Sequence, residues 1–150
     1  MSEEIRIKNM DQVLAGIRKQ EDAINTAAKF GIREVAINLV YTTQKLLNNN
    51  PHKQRGMSWY PSGHIGGNGS PPNRRSGHLR DSFQMQPKSG LPGYGYSVFP
   101  TMVYARSLEL GNPKWKSGVK YPYLEPSARV VRAKASKIFT QAFLSKYRQG

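Results

Sequence analysis

The stretch YARSLELGNPKWKSGVKYPYLEPSA, residues 104–128, decides how the chain is read. It falls into three pieces. Residues 104–110 form a short apolar segment that Gly111 is placed to stop, because glycine takes the left-handed conformation a helix end needs. Residues 112–120 form a basic loop holding Pro113, Lys114, Trp115, Lys116 and Gly118. Tyr121-Pro122-Tyr123-Leu124-Glu125-Pro126 then leads into a helix predicted over 126–147. Pro126 stands at its first position, where a missing N–H costs nothing.

Within that last helix Ala128, Val131, Ala135, Ile138, Phe139, Ala142 and Phe143 make one apolar stripe, continued by Lys146. Arg129, Arg132, Lys134, Lys137 and Arg148 occupy the opposite face. The spacing predicts that these cations lack a glutamate partner four residues away. Lys146 and Arg148 sit favourably at the negative end of the helix dipole.

Upstream, Leu79–Lys88 and Gly93–Phe99 read as two strands joined by the turn residues Ser89-Gly90-Leu91-Pro92-Gly93. In the second strand Tyr94, Tyr96 and Val98 share one face, and Pro100 ends it. The segment that follows is expected to point Val103, Tyr104, Ala105 and Leu108 inward.

The strongest periodic signal lies further upstream. Ile24, Ala27, Ala28, Gly31, Ile32, Val35, Ala36, Leu39, Val40, Thr43, Leu46 and Leu47 hold one helical phase for more than six turns. Glycine inside a helix costs about 1 kcal/mol against alanine, so Gly31 points to close packing. Before it, Met10, Val13, Leu14 and Ile17 make a shorter helical stripe, with Asn9 or Asp11 as its cap and Asp22 able to cap or continue the helix. Glu4–Lys8 alternates as a short edge strand would. Pro51 ends the long helix.

Residues 48–76 carry Gly, Pro, Ser, Asn and no acid. They read as a long functional or flexible loop, holding Lys53, Arg55, Trp59, Tyr60, Arg74 and Arg75. The fold class expected is α+β: a long N-terminal helix and a C-terminal helix packed on a small antiparallel sheet, in one domain over 1–150.

Composition bounds the chemistry. The chain has 150 residues, 37% of them hydrophobic, and no cysteine, so disulfides and thiolate chemistry are excluded. A mean hydropathy of −0.64 points to a modest core. The start MSEEIRI has no apolar stretch of the kind a secretory signal needs, and no apolar run is long enough to span a membrane. Residues 1–34 hold six acids and six bases. Residues 35–150 hold the other 17 bases against Asp81, Glu109 and Glu125, which accounts for the whole +14 excess. Such a field favours nucleic acid or an acidic partner.

Catalytic constellations are absent. His52, His64 and His78 fit no zinc spacing. The carboxylates form no acid/base pair, and Gly66-Gly67-Asn68-Gly69-Ser70 lacks the lysine of a phosphate loop. No enzyme and no cofactor are expected. Glu109 reads either as an ion pair with a neighbouring cation or as a salt bridge across a subunit interface. Lys53, Arg55, Arg74, Arg75, Arg80, Lys114 and Lys116, with Trp59 and Trp115, are candidate contacts for DNA or for a protein partner. Residue types alone leave both open.

Three motifs in order give a resemblance. They are Ser76-Gly77-His78-Leu79-Arg80-Asp81-Ser82; Tyr104-Ala105-Arg106-Ser107-Leu108-Glu109-Leu110-Gly111; and Tyr121-Pro122-Tyr123-Leu124-Glu125-Pro126-Ser127-Ala128. With them the chain resembles the tail-completion (neck) proteins of tailed bacteriophages, a head–tail connector or minor-tail family. Tyr123 stands where that family has Phe, and Ser127 intervenes before Ala128.

The resemblance implies a structural virion subunit, made in the host cytoplasm, that forms a ring, expected as a homohexamer, at the head–tail junction. Its partners would be a head-closing connector or stopper and a tail terminator or tail tube protein, with the phage genomic DNA passing through the channel. It marks Ser76, Gly77, Leu79, Tyr104, Glu109, Gly111, Trp115, Pro122, Tyr123, Leu124, Pro126 and Ala128 as motif or subunit-interface residues. The alternative is a DNA-binding protein acting through the basic loop and the last helix.

Overall fold

A computed structural model describes residues 9–48, 72, 77–91, 93–114 and 119–150. The strand expected at Glu4–Lys8 and most of the loop 48–76 lie outside these residues. Within the loop, Pro72 is described and is buried.

The elements in order are α1 (Met10–Asn48), α2 (His78–Asp81), β1 (Phe83–Leu91), β2 (Gly93–Pro100), α3 (Ala105–Leu110) and α4 (Leu124–Gln149). The architecture is α+β: two long helices packed on a two-stranded antiparallel sheet.

α1 is one unbroken helix of 39 residues, about 58 Å long at 1.5 Å per residue. The two stripes read in the sequence join across residues 18–23, which contain no proline or glycine to interrupt them. Asn9 precedes the helix at φ 66°, a conformation asparagine tolerates, and its carbonyl accepts the Val13 N–H at 3.1 Å. Asp11 stands in the first turn, where the dipole favours an acid.

The second stripe of α1 packs antiparallel against α4. Leu47 joins Tyr123 in one buried cluster, and Gly31 meets Phe139. A Cβ at Gly31 would stand 2.7 Å from Cδ2 of Phe139 and 3.2 Å from its carbonyl oxygen, so the close approach expected of this glycine is present. β2 crosses the same helix, with the Lys29 ammonium 5.4 Å from the Tyr94 ring centroid. The hairpin register pairs Gln84 with Phe99 and Lys88 with Gly95, then shifts before Leu91 meets Gly93.

Three expectations need correction. Residues 79–81 belong to a helical turn, not to the first strand, which begins at Phe83. Gly77, at φ 85°, turns the chain into α2, and Ser82 Oγ donates to the Leu79 carbonyl at 2.9 Å and closes the turn. Val103 and Tyr104 point outward, 98% and 46% exposed, because they form a turn before α3 starts; only Ala105 and Leu108 turn inward. α4 begins at Leu124 rather than Pro126. Pro126 is therefore its third residue, still within the turn where no intrahelical N–H bond is needed.

Prolines aside, the buried hydrophobic residues among those described are Ala27, Ala36, Leu47, Ala105, Tyr123 and Val131. Three are alanines, so the core formed by the described residues is small. Its best-filled part is the cluster of Leu47, Ala105 and Tyr123 with Leu79, Phe83, Met102, Leu108 and Leu124.

Candidate functional site

Residues of all three sequence motifs meet in that cluster, and Glu109, from the second motif, reaches the third. Its carboxylate lies at the N-terminus of α4. Oε2 accepts the N–H groups of Tyr123 at 2.8 Å and Leu124 at 3.0 Å, and Oε1 accepts that of Glu125 at 2.9 Å. The next residue, Pro126, has no N–H. A helix start leaves four N–H groups without intrahelical partners; here one side chain satisfies three, and proline removes the fourth. The negative charge also faces the positive end of the helix dipole. Glu109 is thus an intrachain helix cap reached from a second helix, a role the sequence reading of it as an ion pair or a cross-subunit bridge did not include.

Other bonds fasten the same pair of elements. Tyr123 Oη donates to the Ala105 carbonyl at 3.0 Å, and its ring meets Phe83 edge-on at 6.0 Å. Tyr123 is only 1% exposed, and burial, with the nearby Glu109 carboxylate, pushes its phenol well above the usual tyrosine range. Ser127 Oγ donates to the Tyr123 carbonyl at 2.8 Å, and Tyr121 N–H to the Leu108 carbonyl at 2.7 Å. Gly111 ends α3 at φ 89°, ψ 167°, a region essentially reserved for glycine, and a Cβ there would stand 2.9 Å from the Val119 carbonyl oxygen. Pro122 is buried beside this clasp, and Leu124 is half-buried against it.

Arg80, expected as a contact for DNA or a partner, is engaged within the chain. Its guanidinium makes a two-point contact with Asp81, at 2.6 and 3.0 Å, and donates to Asn48 Oδ1 at 3.2 Å. The hydrogen bond and charge of Asp81 raise its pKa further. With Gln44 donating to the Arg80 carbonyl at 3.1 Å, these bonds tie α2 to the end of α1. One cation on α4 also departs from expectation: Arg129 pairs with Glu125 at 2.9 Å, the i,i+4 geometry the spacing was read to lack. Arg132, Lys134, Lys137 and Arg148 are exposed, as the sequence predicts, and so is Lys114. Ser76, Trp115, Lys116, Lys53, Arg55, Trp59, Arg74 and Arg75 lie outside the described residues.

Two surface features were not read from the sequence. The first is that the opening stripe of α1 is uncovered. Met10, Val13, Leu14, Ile17 and Ile24 are 41–55% exposed, and every residue from 9 to 22 is exposed. The second is an open apolar groove of about 350 Å³ between α1, β2 and α4, lined by Ile32, Val35, Leu39, Tyr96, Val98 and Ala128 among others, with Arg132 its one charged lining residue among those described. Beside it the Tyr94 and Tyr96 hydroxyls are bonded at 3.1 Å, which raises the Tyr96 pKa.

Among the described residues no group of three or more metal-ligating side chains is assembled, and no helix is long and apolar enough to cross a membrane. No family model, no curated protein and no solved structure matches this chain.

Proposed function

We propose that this chain is a structural subunit of a tailed-phage virion, assembling as a ring at the head–tail junction that completes or joins the tail and lets the genome pass. The observation that carries the reading is the exposed apolar stripe at the start of α1, beside a core that is small among the described residues. Exposed apolar stripes of this kind mark protein–protein contacts. A subunit that completes its burial in an assembly leaves just such a face open. The convergence of residues from all three family-like motifs on one apolar cluster adds support. The partners proposed are further copies of the chain, a head-closing connector or stopper, a tail terminator or tail tube protein, and the genomic DNA.

The second reading, a DNA-binding protein, is favoured by the exposed cations on α4 and the +14 net charge. Two measurements separate them. Electron microscopy and mass measurement of the purified chain, with its incorporation into phage particles, test the first. Duplex binding across a salt series tests the second, because neutralising several phosphates makes affinity fall steeply with salt. A ring of defined symmetry, or virion incorporation with weak DNA binding, supports the structural subunit. A monomer that binds duplex tightly and never enters particles refutes it.

A further inference from the structure

We infer that the opening stripe of α1 docks into the α1–β2–α4 groove of a second copy of this chain, making a head-to-tail contact. The inference rests on the subunit reading above and names the surfaces that would join one copy to the next.

Four observations carry it. The stripe is apolar and uncovered: Val13, Leu14 and Ile17 are 43–55% exposed. The groove is apolar and open, as described. The groove runs from Ile32 to Leu39 and from Ala128 to Ala135, seven residue steps or about 10 Å of helix, and takes up that length of the longer stripe, Leu14 to Glu21.

Their charges are complementary. Glu21 lies four residues after Ile17 and three before Ile24, so this acid shares the face of the stripe. Arg132 is the charged residue among those described that line the groove. Both side chains are exposed, and neither has a partner among the described residues.

The occupant must come from another molecule. The stripe and one wall of the groove belong to the same unbroken helix, with Ile17 about 22 Å from Ile32 along its axis. A continuous helix cannot fold back to place its own start beside its own middle. Because the two surfaces differ, the contact is heterologous, which builds a ring if the rotation closes and a filament if it does not.

The chain has no cysteine, so single introduced cysteines report the contact directly. Ile17→Cys and Ala135→Cys proteins are mixed under mild oxidation. The expected product is a disulfide dimer that requires both variants, and the chain carrying both cysteines gives a ladder of covalent oligomers. In parallel, Glu21→Arg and Arg132→Glu each lower the oligomeric mass of the full chain, and the double swap restores it. Both positions are exposed, so circular dichroism of the variants remains that of the parent. Oligomers of unchanged mass without the cross-link, or single swaps without effect, overturn the docking while leaving the ring reading standing. A chain that stays monomeric at every concentration overturns the docking too, and virion incorporation then decides the ring reading separately.

Discussion

Glu109→Ala removes the acceptor of three backbone N–H groups at the start of α4, spaced 2.8–3.0 Å from its oxygens. Hydrogen bonds to a charged group are worth about 1.5–3 kcal/mol each. A single conventional N-cap is worth about 0.5–2 kcal/mol. The Glu125 N–H is exposed and regains water in the variant, whereas those of Tyr123 and Leu124 are part-buried and regain it less fully. The expected cost is therefore about 2–4 kcal/mol, set by two poorly compensated donors and a lost dipole contact. For a domain of this size that lowers Tm by about 5–15 °C. Glu109→Gln keeps one acceptor oxygen and loses the charge, and is expected to cost about half as much. Glu109→Asp is one methylene shorter and behaves like the alanine variant. The assay is urea unfolding followed by circular dichroism, where the midpoint moves and the slope does not. Destabilisation under 0.5 kcal/mol for Glu109→Ala would refute the cap. If assembly were lost at the same time, the cross-subunit role would be restored in its place.

Gly111→Ala is expected to cost about 1–3 kcal/mol from backbone conformation alone, with the Val119 carbonyl contact adding to it; a thermal melt equal to the parent's would contradict this. Gly31→Ala sets a helix-propensity gain of about 1 kcal/mol against an overpacking cost of about 1–3 kcal/mol, so a net loss of up to about 2 kcal/mol is expected. A rise in the unfolding midpoint would show that Phe139 yields freely. Tyr123→Phe loses the bond to the Ala105 carbonyl and is expected to cost about 1 kcal/mol at neutral pH. It also changes the alkaline limb: the folded phenol ionises above the ordinary value near 10, so its contribution is intact below about pH 10 and is lost as pH rises beyond it. The phenylalanine variant should lose stability less steeply there, and identical alkaline slopes would count against a buried phenol.

Periodicity made the two long helices legible. The buried and half-buried positions of α4 follow the stripe from Ala128 to Phe143, and α1 matches its stripe from Ala27 onward. At Met10 to Ile17 the same signal gave the helix but not its exposure, because a helical stripe records which face is apolar and not whether anything covers it. Leu79 reads as strand in the sequence because four residues cannot separate a helical turn from an extended run. Glu109 was legible as an unusual residue but not in its role. Its partners are backbone N–H groups 14 to 16 residues away, which every residue but proline carries and which leave no mark in the sequence. The one trace was Pro126, the residue with no donor to satisfy.

The Glu109 clasp also makes the start of α4 a reporter. Amide protons in the first turn of a helix ordinarily exchange quickly with solvent, because they have no partner. At Tyr123 and Leu124 they are held by a side chain from α3. Deuterium uptake at these amides therefore measures how often α3 lifts from α4, a local opening that can proceed while the body of α4 stays folded on α1. Slow exchange there, matched to that of Tyr121 N–H on the Leu108 carbonyl, would mark the two short segments as one unit that opens together.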